Sequence, residues 1–322
     1  MSIALADIRA AAGRIRGRVA RTPVRRSEWL SDLTGADVHF KLEVVQPTSS
    51  YKIRGAFNAA LRVREQSGSA APPRLVTASA GNHGRALAHA ARALQLPVTV
   101  FIAADAPRAK VDAIRAAGAE LRECADYDEA ERLAKADAHG GKGLFVSPYA
   151  HPDVIAGAGT IGLELLEDLA SIDTVVVPVG GGGLISGIAI AVKALSPSTR
   201  VVGVEVAASC PFTESLAAGR LVTIDVGRSL ADGLTGNLDP ETITLDMVRD
   251  LVDQIVIVDE PPLASALLAT VTHEHVLVEG AAATGPAAVI GGQIELRGNV
   301  AIILTGANID TGKLVEVLRS AR

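Results

Sequence analysis

The chain has 322 residues, of which 48% are hydrophobic and 21% are charged, and its formal net charge is −5. That length fits two domains of ordinary size, each with its own core. The acidic balance excludes a basic nucleic-acid surface, and no apolar run reaches the ~18 residues that a membrane span needs. Two cysteines without metal-ligand spacing exclude a disulfide framework and fit a reducing cytoplasm. We therefore expect a cytoplasmic protein that binds a small molecule, with no nucleic-acid or membrane partner.

In the first half of the chain, predicted helices and strands alternate. Apolar residues at helical spacing predict helices over residues 3–18, 56–63, 85–94, 107–117 and 126–136. Short apolar runs predict strands over residues 38–42, 74–77, 98–102 and 120–122. This alternation is typical of a parallel, doubly wound α/β sheet with both faces covered.

The second half continues the alternation after a loop-like stretch that ends at Asp153. Predicted strands cover residues 173–178, 200–205, 254–258 and 300–304, and predicted helices cover residues 160–169, 185–195, 213–218, 262–273 and 313–319. We interpret the loop-like stretch as the return of the chain to its first domain. The predicted division is a large domain of residues 1–47 and 151–322 and a small domain of residues 48–150.

A lysine stands between a hydroxyl-rich turn and a glycine in the stretch from Gln46 to Phe57. Pro47 cannot donate to a central strand, so we expect a helix to start near Ser50 and to carry Lys52 in its first turn. The positive end of a helix disfavours an ammonium, which makes the nucleophilic free amine easier to populate. Lys52 is therefore a candidate nucleophile, although most helical lysines are solvated surface charges.

Four consecutive glycines, Gly180, Gly181, Gly182 and Gly183, separate a valine-rich strand from a predicted helix. Without Cβ atoms, several backbone N–H groups can converge on phosphate oxygens at the start of that helix. No Gly-Lys-Ser/Thr follows, so the run is not a P-loop. A tight strand-to-helix turn without a ligand is the alternative interpretation.

A second glycine pattern, from Gly157 to Gly162, matches GxGxxG. A dinucleotide fingerprint requires a preceding strand and an acidic residue about twenty positions later. Here a loop-like segment precedes the pattern and the tetraglycine run follows it. A dinucleotide site is therefore not favoured.

Four windows in this order, residues 46–57, 77–84, 178–187 and 304–308, resemble the fold type II, or β-family, pyridoxal-phosphate enzymes. The resemblance covers nearly the whole chain and is nearest to the serine/threonine dehydratase and serine racemase group. It implies two doubly wound parallel-sheet domains with the cofactor in the cleft between them. The large domain would bind the cofactor, and the small domain would carry the loop for the substrate carboxylate. A homodimer is also implied.

The resemblance further assigns roles to individual residues. Lys52 would carry pyridoxal 5'-phosphate as a Schiff base, and Asn82 would hydrogen-bond the ring hydroxyl of the cofactor. The glycines 180–183 would bind the phosphate, and Thr305 would face the pyridine nitrogen. Its alternative role is a hydroxyl that caps a turn. Residues implied in substrate-carboxylate binding are Ser79, Gly81, Asn82 and His83, for which a helix-capping turn is the alternative.

Further residues are expected at the edge of this site. Glu279 and Gly233 are candidate lining residues, and His83 is a second titratable group that fits substrate positioning better than proton abstraction. The family's usual glycine and phenylalanine near the lysine are replaced by Ser49 and Tyr51.

Two departures from the family pattern bear on activity. Racemases of the group have a serine where this chain has Ala80, and racemisation needs a base on each face of the substrate. The divalent-cation site of racemase-like members would map to Glu205 and the carbonyl of Ser209, but Pro211 replaces its acid. We therefore expect no tight metal site.

The activity implied by the resemblance is that of an ammonia-lyase, which converts L-threonine or L-serine to a 2-oxo acid and ammonia. Alternatives that remain open are a serine racemase or dual-function enzyme, a nicotinamide dehydrogenase built on Gly157, and a non-catalytic amino-acid binding protein. Other possible substrates are 3-hydroxyaspartate, phenylserine and a hydroxyectoine-derived amino acid. The chain is too short for the regulatory domain of biosynthetic threonine dehydratases, so isoleucine feedback is not expected.

Overall fold

The structure is a computed structural model that describes residues 3–139 and 143–320. The chain forms two compact units: the first contains residues 1–20 and 46–158, and the second contains residues 21–45 and 159–322.

The strands of the described residues are β1 (Val24–Arg26), β2 (Asp37–Leu42), β3 (Arg74–Ala78), β4 (Val98–Ala103), β5 (Glu120–Cys124), β6 (Gly143–Phe145), β7 (Thr174–Pro178), β8 (Arg200–Val206), β9 (Gln254–Val258) and β10 (Asn299–Leu304). Their helices are α1 (Leu5–Ile15), α2 (Glu28–Thr34), α3 (Lys52–Ser67), α4 (Asn82–Leu94), α5 (Arg108–Ala116), α6 (Tyr127–Asp137), α7 (Pro152–Asp168), α8 (Gly183–Leu195), α9 (Pro211–Ala218), α10 (Thr244–Leu251), α11 (Glu260–Glu274), α12 (Gly280–Ile290) and α13 (Thr311–Ser320).

The first unit is built on a sheet of parallel strands in the order β5-β4-β3-β6. Its central strands are apolar on both faces because helices cover both sides: Leu75 and Val100 are fully buried. The carboxyl ends of β3 and β6 both lead directly into the loops that carry candidate site residues.

The N-terminal helix α1 belongs to the first unit, whereas the sequence analysis grouped residues 1–47 with the large domain. The reason is packing on α3: the guanidinium of Arg14 donates 2.6 Å to the amide oxygen of Asn58 and pairs with Glu65 at 2.9 Å. The backbone of Ala20 also exchanges hydrogen bonds with the side chain of Gln46.

The second unit is built on a sheet in the order β1-β2-β10-β7-β8-β9. All neighbouring strands are parallel except the edge strand β1, which is antiparallel to β2. Helix α12 is buried along residues 280–289 and contacts β7, β8, β9 and β10. The doubly wound parallel fold predicted from the sequence is thus confirmed, with one antiparallel edge strand added.

Helix α7 begins at Pro152, eight positions before the predicted start at residue 160. Proline is well tolerated in the first turn of a helix. The GxGxxG pattern therefore lies inside α7 and does not form the strand-to-helix turn that a dinucleotide site requires. A Cβ at Gly157 would come within 2.6 Å of the Cα of Gly55, so these glycines allow α7 to approach α3 closely.

Among the residues described, no helix combines the length and the apolar character needed to cross a membrane.

Candidate active site

Lys52 is the first residue of α3, where the sequence predicts it. Its backbone N–H donates to the hydroxyl of Ser50 at 3.3 Å, which keeps the start of the helix in place. Its side-chain amine donates a hydrogen bond of 2.8 Å to the carbonyl oxygen of Pro148 and lies 5.2 Å from the ring centroid of Tyr51. The amine therefore has a defined position beside the N-terminus of a helix.

The loop from Ser79 to Gly84 links β3 to α4, whose first residue is Asn82. The N–H of Gly81 donates 3.3 Å to the hydroxyl of Ser79. A Cβ at Gly84 would lie 2.0 Å from the carbonyl oxygen of Ser79, so this close turn requires glycine there. The first N–H groups of α4 have no partner inside the helix, which suits this loop to a carboxylate.

His83 is buried in the first turn of α4, with 2% of its surface exposed. Its Nε2 lies 3.1 Å from the carbonyl oxygen of Val146, which can only accept, so Nε2 carries the proton. Burial lowers the pKa of His83 from 6.5 to about 3, and the nearby charge of Lys52 acts in the same direction. A neutral imidazole of this low basicity suits positioning better than proton abstraction.

In the second unit, the tetraglycine run forms the turn between β7 and α8. Gly182 has a positive φ of 83°, and a Cβ there would lie 2.4 Å from the ring of Phe212. The hydroxyl of Thr244 donates 2.9 Å to the carbonyl oxygen of Gly181. These contacts fix a loop without side chains at the N-terminus of α8, as phosphate binding requires.

The neighbouring loops complete this part of the second unit. A Cβ at Gly180 would lie 3.4 Å from the carbonyl oxygen of Gly233, so the predicted lining residue Gly233 is beside the glycine run. Thr305 follows β10, which is paired with β7, and its buried hydroxyl has no hydrogen-bond partner among the described residues. The N–H of Glu279 donates 2.9 Å to the carbonyl oxygen of Gly306. The structure thus brings Gly180 near Gly233, and Glu279 near Thr305.

Glu205 is fully buried and fixes the start of α9. Its carboxylate accepts hydrogen bonds from the N–H groups of Phe212 and Thr213, both at 2.9 Å, and from the hydroxyl of Thr213 at 2.6 Å. Burial raises the pKa of Glu205, and these three hydrogen bonds oppose that shift. The hydroxyl of Ser209 is engaged with the backbone of Gly236. Within residues 3–139 and 143–320 no group of three His, Cys, Asp or Glu could hold a metal ion.

The family model described as pyridoxal-phosphate dependent enzyme matches residues 15–306. The chain belongs to this family. Pyridoxal phosphate is accordingly its cofactor, and the enzyme is expected to use it in the chemistry of an amino acid.

The relatives of this pyridoxal-phosphate enzyme include the L-threonine ammonia-lyase of Thermotoga maritima, which is 38% identical over 98% of this chain and 78% of the relative. The structure of maize serine racemase superposes with a TM-score of 0.91 at 32% identity, and the alignment covers 100% of this chain and 98% of the other. The structure of a bacterial threonine deaminase gives a TM-score of 0.87 at 37% identity, over 95% of this chain and 99% of that one. These structures share the fold type II architecture that the sequence predicts.

Observations in each unit of the enzyme fit this cofactor. An aldehyde requires an amine, and Lys52 supplies one at the start of α3. A phosphate requires converging N–H groups, and Gly182 leaves no space for a Cβ that would obstruct them. The unpartnered hydroxyl of Thr305 can satisfy a ring nitrogen.

Sequence reasoning missed several residues that shape the enzyme's site: Thr77, Pro148, Phe212 and Thr244. The carbonyl of Pro148 acts through the backbone, which leaves no residue-type signal. Phe212 and Thr244 lie far from the glycine run in sequence and reach it only through the fold.

Proposed function

We propose that this enzyme is an ammonia-lyase that converts L-threonine or L-serine to the corresponding 2-oxo acid and ammonia. The observation that carries the proposal is the ordered amine of Lys52, in a unit whose carboxylate loop has an alanine at position 80. One base suffices for α,β-elimination. The L-threonine ammonia-lyase and threonine deaminase relatives support the same reaction.

We assign the binding roles as follows. The N–H groups of the glycines 180–183 bind the cofactor phosphate, Asn82 bonds the ring hydroxyl, and Thr305 bonds the ring nitrogen. The loop of Ser79, Gly81, Asn82 and His83 binds the substrate carboxylate, and Glu279 and Gly233 line the site. When bound, pyridoxal phosphate supplies a ring that withdraws electrons from the Cα of an amino acid.

Lys52 binds the cofactor covalently and then exchanges places with the substrate amine. Its free Nζ takes the proton from Cα, and the electron pair left on carbon expels the β-hydroxyl as water. The released enamine reacts with water to give a 2-oxo acid and ammonia. Water is lost and regained, so the products of threonine are 2-oxobutanoate and ammonia.

A racemase would need a second acid/base group on the opposite face of the substrate. Ala80 has no exchangeable proton, and the neutral His83 is a weak base because burial lowers its pKa to about 3. Elimination is therefore favoured over racemisation, although a serine racemase is among the structural relatives.

The experiment is a screen of 2-oxo acid and ammonia release from threonine, serine, 3-hydroxyaspartate and phenylserine in the presence of pyridoxal phosphate. Lys52→Ala is expected to lose activity by at least about 1,000-fold and to lose the visible absorbance that borohydride removes. Lys135→Ala is the control, because Lys135 lies on α6 and pairs with Glu131 at 3.2 Å.

Conversion of one serine enantiomer into the other with little pyruvate would contradict the proposal in favour of a racemase. Binding of amino acids without turnover in wild type and Lys52→Ala alike would indicate a binding protein.

We further propose that the enzyme is a cytoplasmic homodimer of amino-acid catabolism, with the second unit as the cofactor-binding part and the first as the carrier of the carboxylate loop. Light scattering of the purified protein tests the dimer. A mass that corresponds to one chain would contradict it.

A further inference from the structure

The segment of residues 146–148 leaves β6 and joins two parts of the first unit through its carbonyl groups. The N–H of Val146 donates 2.8 Å to the carbonyl of Val76, which continues the pairing of β6 with β3. The carbonyl of Val146 accepts two side-chain donors: the hydroxyl of Thr77 at 2.8 Å and Nε2 of His83 at 3.1 Å. Both donors are buried, with Thr77 at 0% and His83 at 2% exposure, so the position of this carbonyl is fixed from two sides.

Two residues further along, the same segment contacts the proposed catalytic amine. The hydroxyl of Ser147 accepts hydrogen bonds from the N–H groups of Tyr149, at 3.4 Å, and Ala150, at 3.1 Å, which closes a tight turn. The carbonyl of Pro148 accepts the 2.8 Å hydrogen bond from Nζ of Lys52. Proline fixes its own φ, which limits the directions that this carbonyl can take.

We propose that Thr77 is a positioning residue for Lys52: by fixing the carbonyl of Val146 it orients the carbonyl of Pro148, which receives the lysine amine whenever that amine is free. This inference rests on the proposed function, because it assumes that the free amine of Lys52 takes the Cα proton. Thr77 itself touches neither the amine nor the carboxylate loop.

The contact of Lys52 with Pro148 assists the reaction in two ways. The flexible four-carbon stem of the lysine loses rotational freedom before the reaction begins, which lowers the entropic part of the barrier. When the Cα–H bond breaks and an N–H bond forms, Nζ becomes an ammonium with three donors, and Pro148 already accepts one of them. A carbonyl oxygen therefore lies where positive charge develops.

Thr77→Val tests the inference, because valine keeps the branched shape but removes the hydroxyl, and Val146 keeps His83 as a donor. Thr77→Ser retains the hydroxyl. Thr99→Val is the matched control: Thr99 is equally buried in the same sheet, but its hydroxyl contacts Arg74 and Glu120 at the other end.

The measurements are 2-oxo acid release and exchange of the Cα hydrogen with deuterium from solvent, for L-threonine and for L-alanine, which has no leaving group. We expect Thr77→Val to lower kcat and the exchange rate by about tenfold with KM changed less than about twofold. Thr77→Ser and Thr99→Val should stay within about twofold of wild type.

A readout that does not depend on turnover is the ¹⁵N spectrum of His83, which should show a proton on Nε2 in wild type and Thr77→Ser. A proton on Nδ1, equal exchange rates in wild type and Thr77→Val, or an equal loss in Thr99→Val would each overturn the inference. Deuterium exchange without 2-oxo acid release would contradict the lyase assignment alone and leave the effect of Thr77 measurable. Absence of exchange in wild type would overturn both.

Discussion

The amine of Lys52 and the carbonyl oxygen of Pro148 are 2.8 Å apart, although 96 positions separate them in the sequence. The residue that makes the covalent bond to the cofactor in the proposed function is thus oriented by a backbone acceptor from another loop. The same loop contacts His83 through Val146. Positions of the lysine and of the carboxylate loop are therefore linked through residues 146–148.

Thr305→Val is expected to separate stability from function. The hydroxyl of Thr305 is buried and has no partner among the described residues, so its removal should leave the free energy of unfolding unchanged or raise it slightly. Loss of the proposed contact to the ring nitrogen should weaken cofactor binding about tenfold and alter the visible spectrum. Denaturant unfolding of the cofactor-free protein and a cofactor titration measure the two effects. Unchanged cofactor affinity together with lower stability would show that the hydroxyl has a structural role only.

Ser49→Gly is expected to stabilise the protein by about 0.5–1 kcal/mol. Ser49 has a positive φ of 56°, which costs an L-residue more than glycine, and this gain exceeds the entropy that glycine adds to the unfolded chain. Urea unfolding measures the change. Ser50→Gly is the control and should destabilise, because the buried hydroxyl of Ser50 accepts the N–H of Lys52. A destabilised Ser49→Gly would indicate that the hydroxyl of Ser49 has a role of its own.

The stability of the protein should fall as the pH drops below 6.5, partly because of His83. Burial lowers the pKa of His83 to about 3, so between 6.5 and that value the unfolded chain binds a proton that the folded chain does not. The loss is about 1.4 kcal/mol at about pH 5.5 and vanishes above the unfolded pKa. His83→Gln should reduce the pH slope of the unfolding free energy. Some slope should remain, since burial also lowers the pKa of His89 and of His151. Equal slopes in both proteins would show that His83 is protonated in the fold.

Glu205→Ala should destabilise the protein by about 3 kcal/mol, because three donors of α9 lose their acceptor. Phe212 follows the start of α9 and packs against Gly182, so weaker cofactor binding is also expected. Thr213→Val removes one of the three donors and should have a smaller effect of the same kind. Urea unfolding and cofactor titration check both variants. Because its carboxylate is already occupied by N–H and O–H donors, added Mg²⁺ should not change the cofactor affinity; a clear Mg²⁺ dependence would contradict this.

Ala80→Ser should add racemase activity. The new hydroxyl supplies the acid/base group that the loop lacks, and the conversion of L-serine to D-serine is expected to rise by about 100-fold. Chiral chromatography of the reaction mixture measures it, with Ala78→Ser as a control in the adjacent buried strand. If Ala80→Ser makes no D-serine, the hydroxyl at this position does not reach the substrate.

Several features followed from local sequence because they depend on local chemistry. Pro47 and the serines after it predicted the start of α3 at Lys52, and four residues without Cβ predicted the turn before α8. Apolar runs such as Val175, Val176 and Val177 predicted buried parallel strands. These signals lie within a few positions of the feature that they specify.

The missed elements have a tertiary cause. Helix α12 is buried on all sides, so it shows no helical alternation of apolar and polar residues, and Pro286 and its glycines suggest a loop. The start of α7 was placed eight positions too late because glycines such as Gly157 read as helix breakers. Here glycine is required by the backbone of Gly55, which no local pattern reveals.

The sequence by itself determined the family resemblance, the cofactor, the reactive lysine and the glycine turn, because each depends on residue types at fixed short spacing. Only the tertiary structure decided that the amine of Lys52 bonds to Pro148, that His83 is neutral with its proton on Nε2, and that Glu205 closes a helix. Those properties arise from burial and from backbone groups brought together by the fold, and hydrogen bonds of this kind join residues without regard to their separation along the chain.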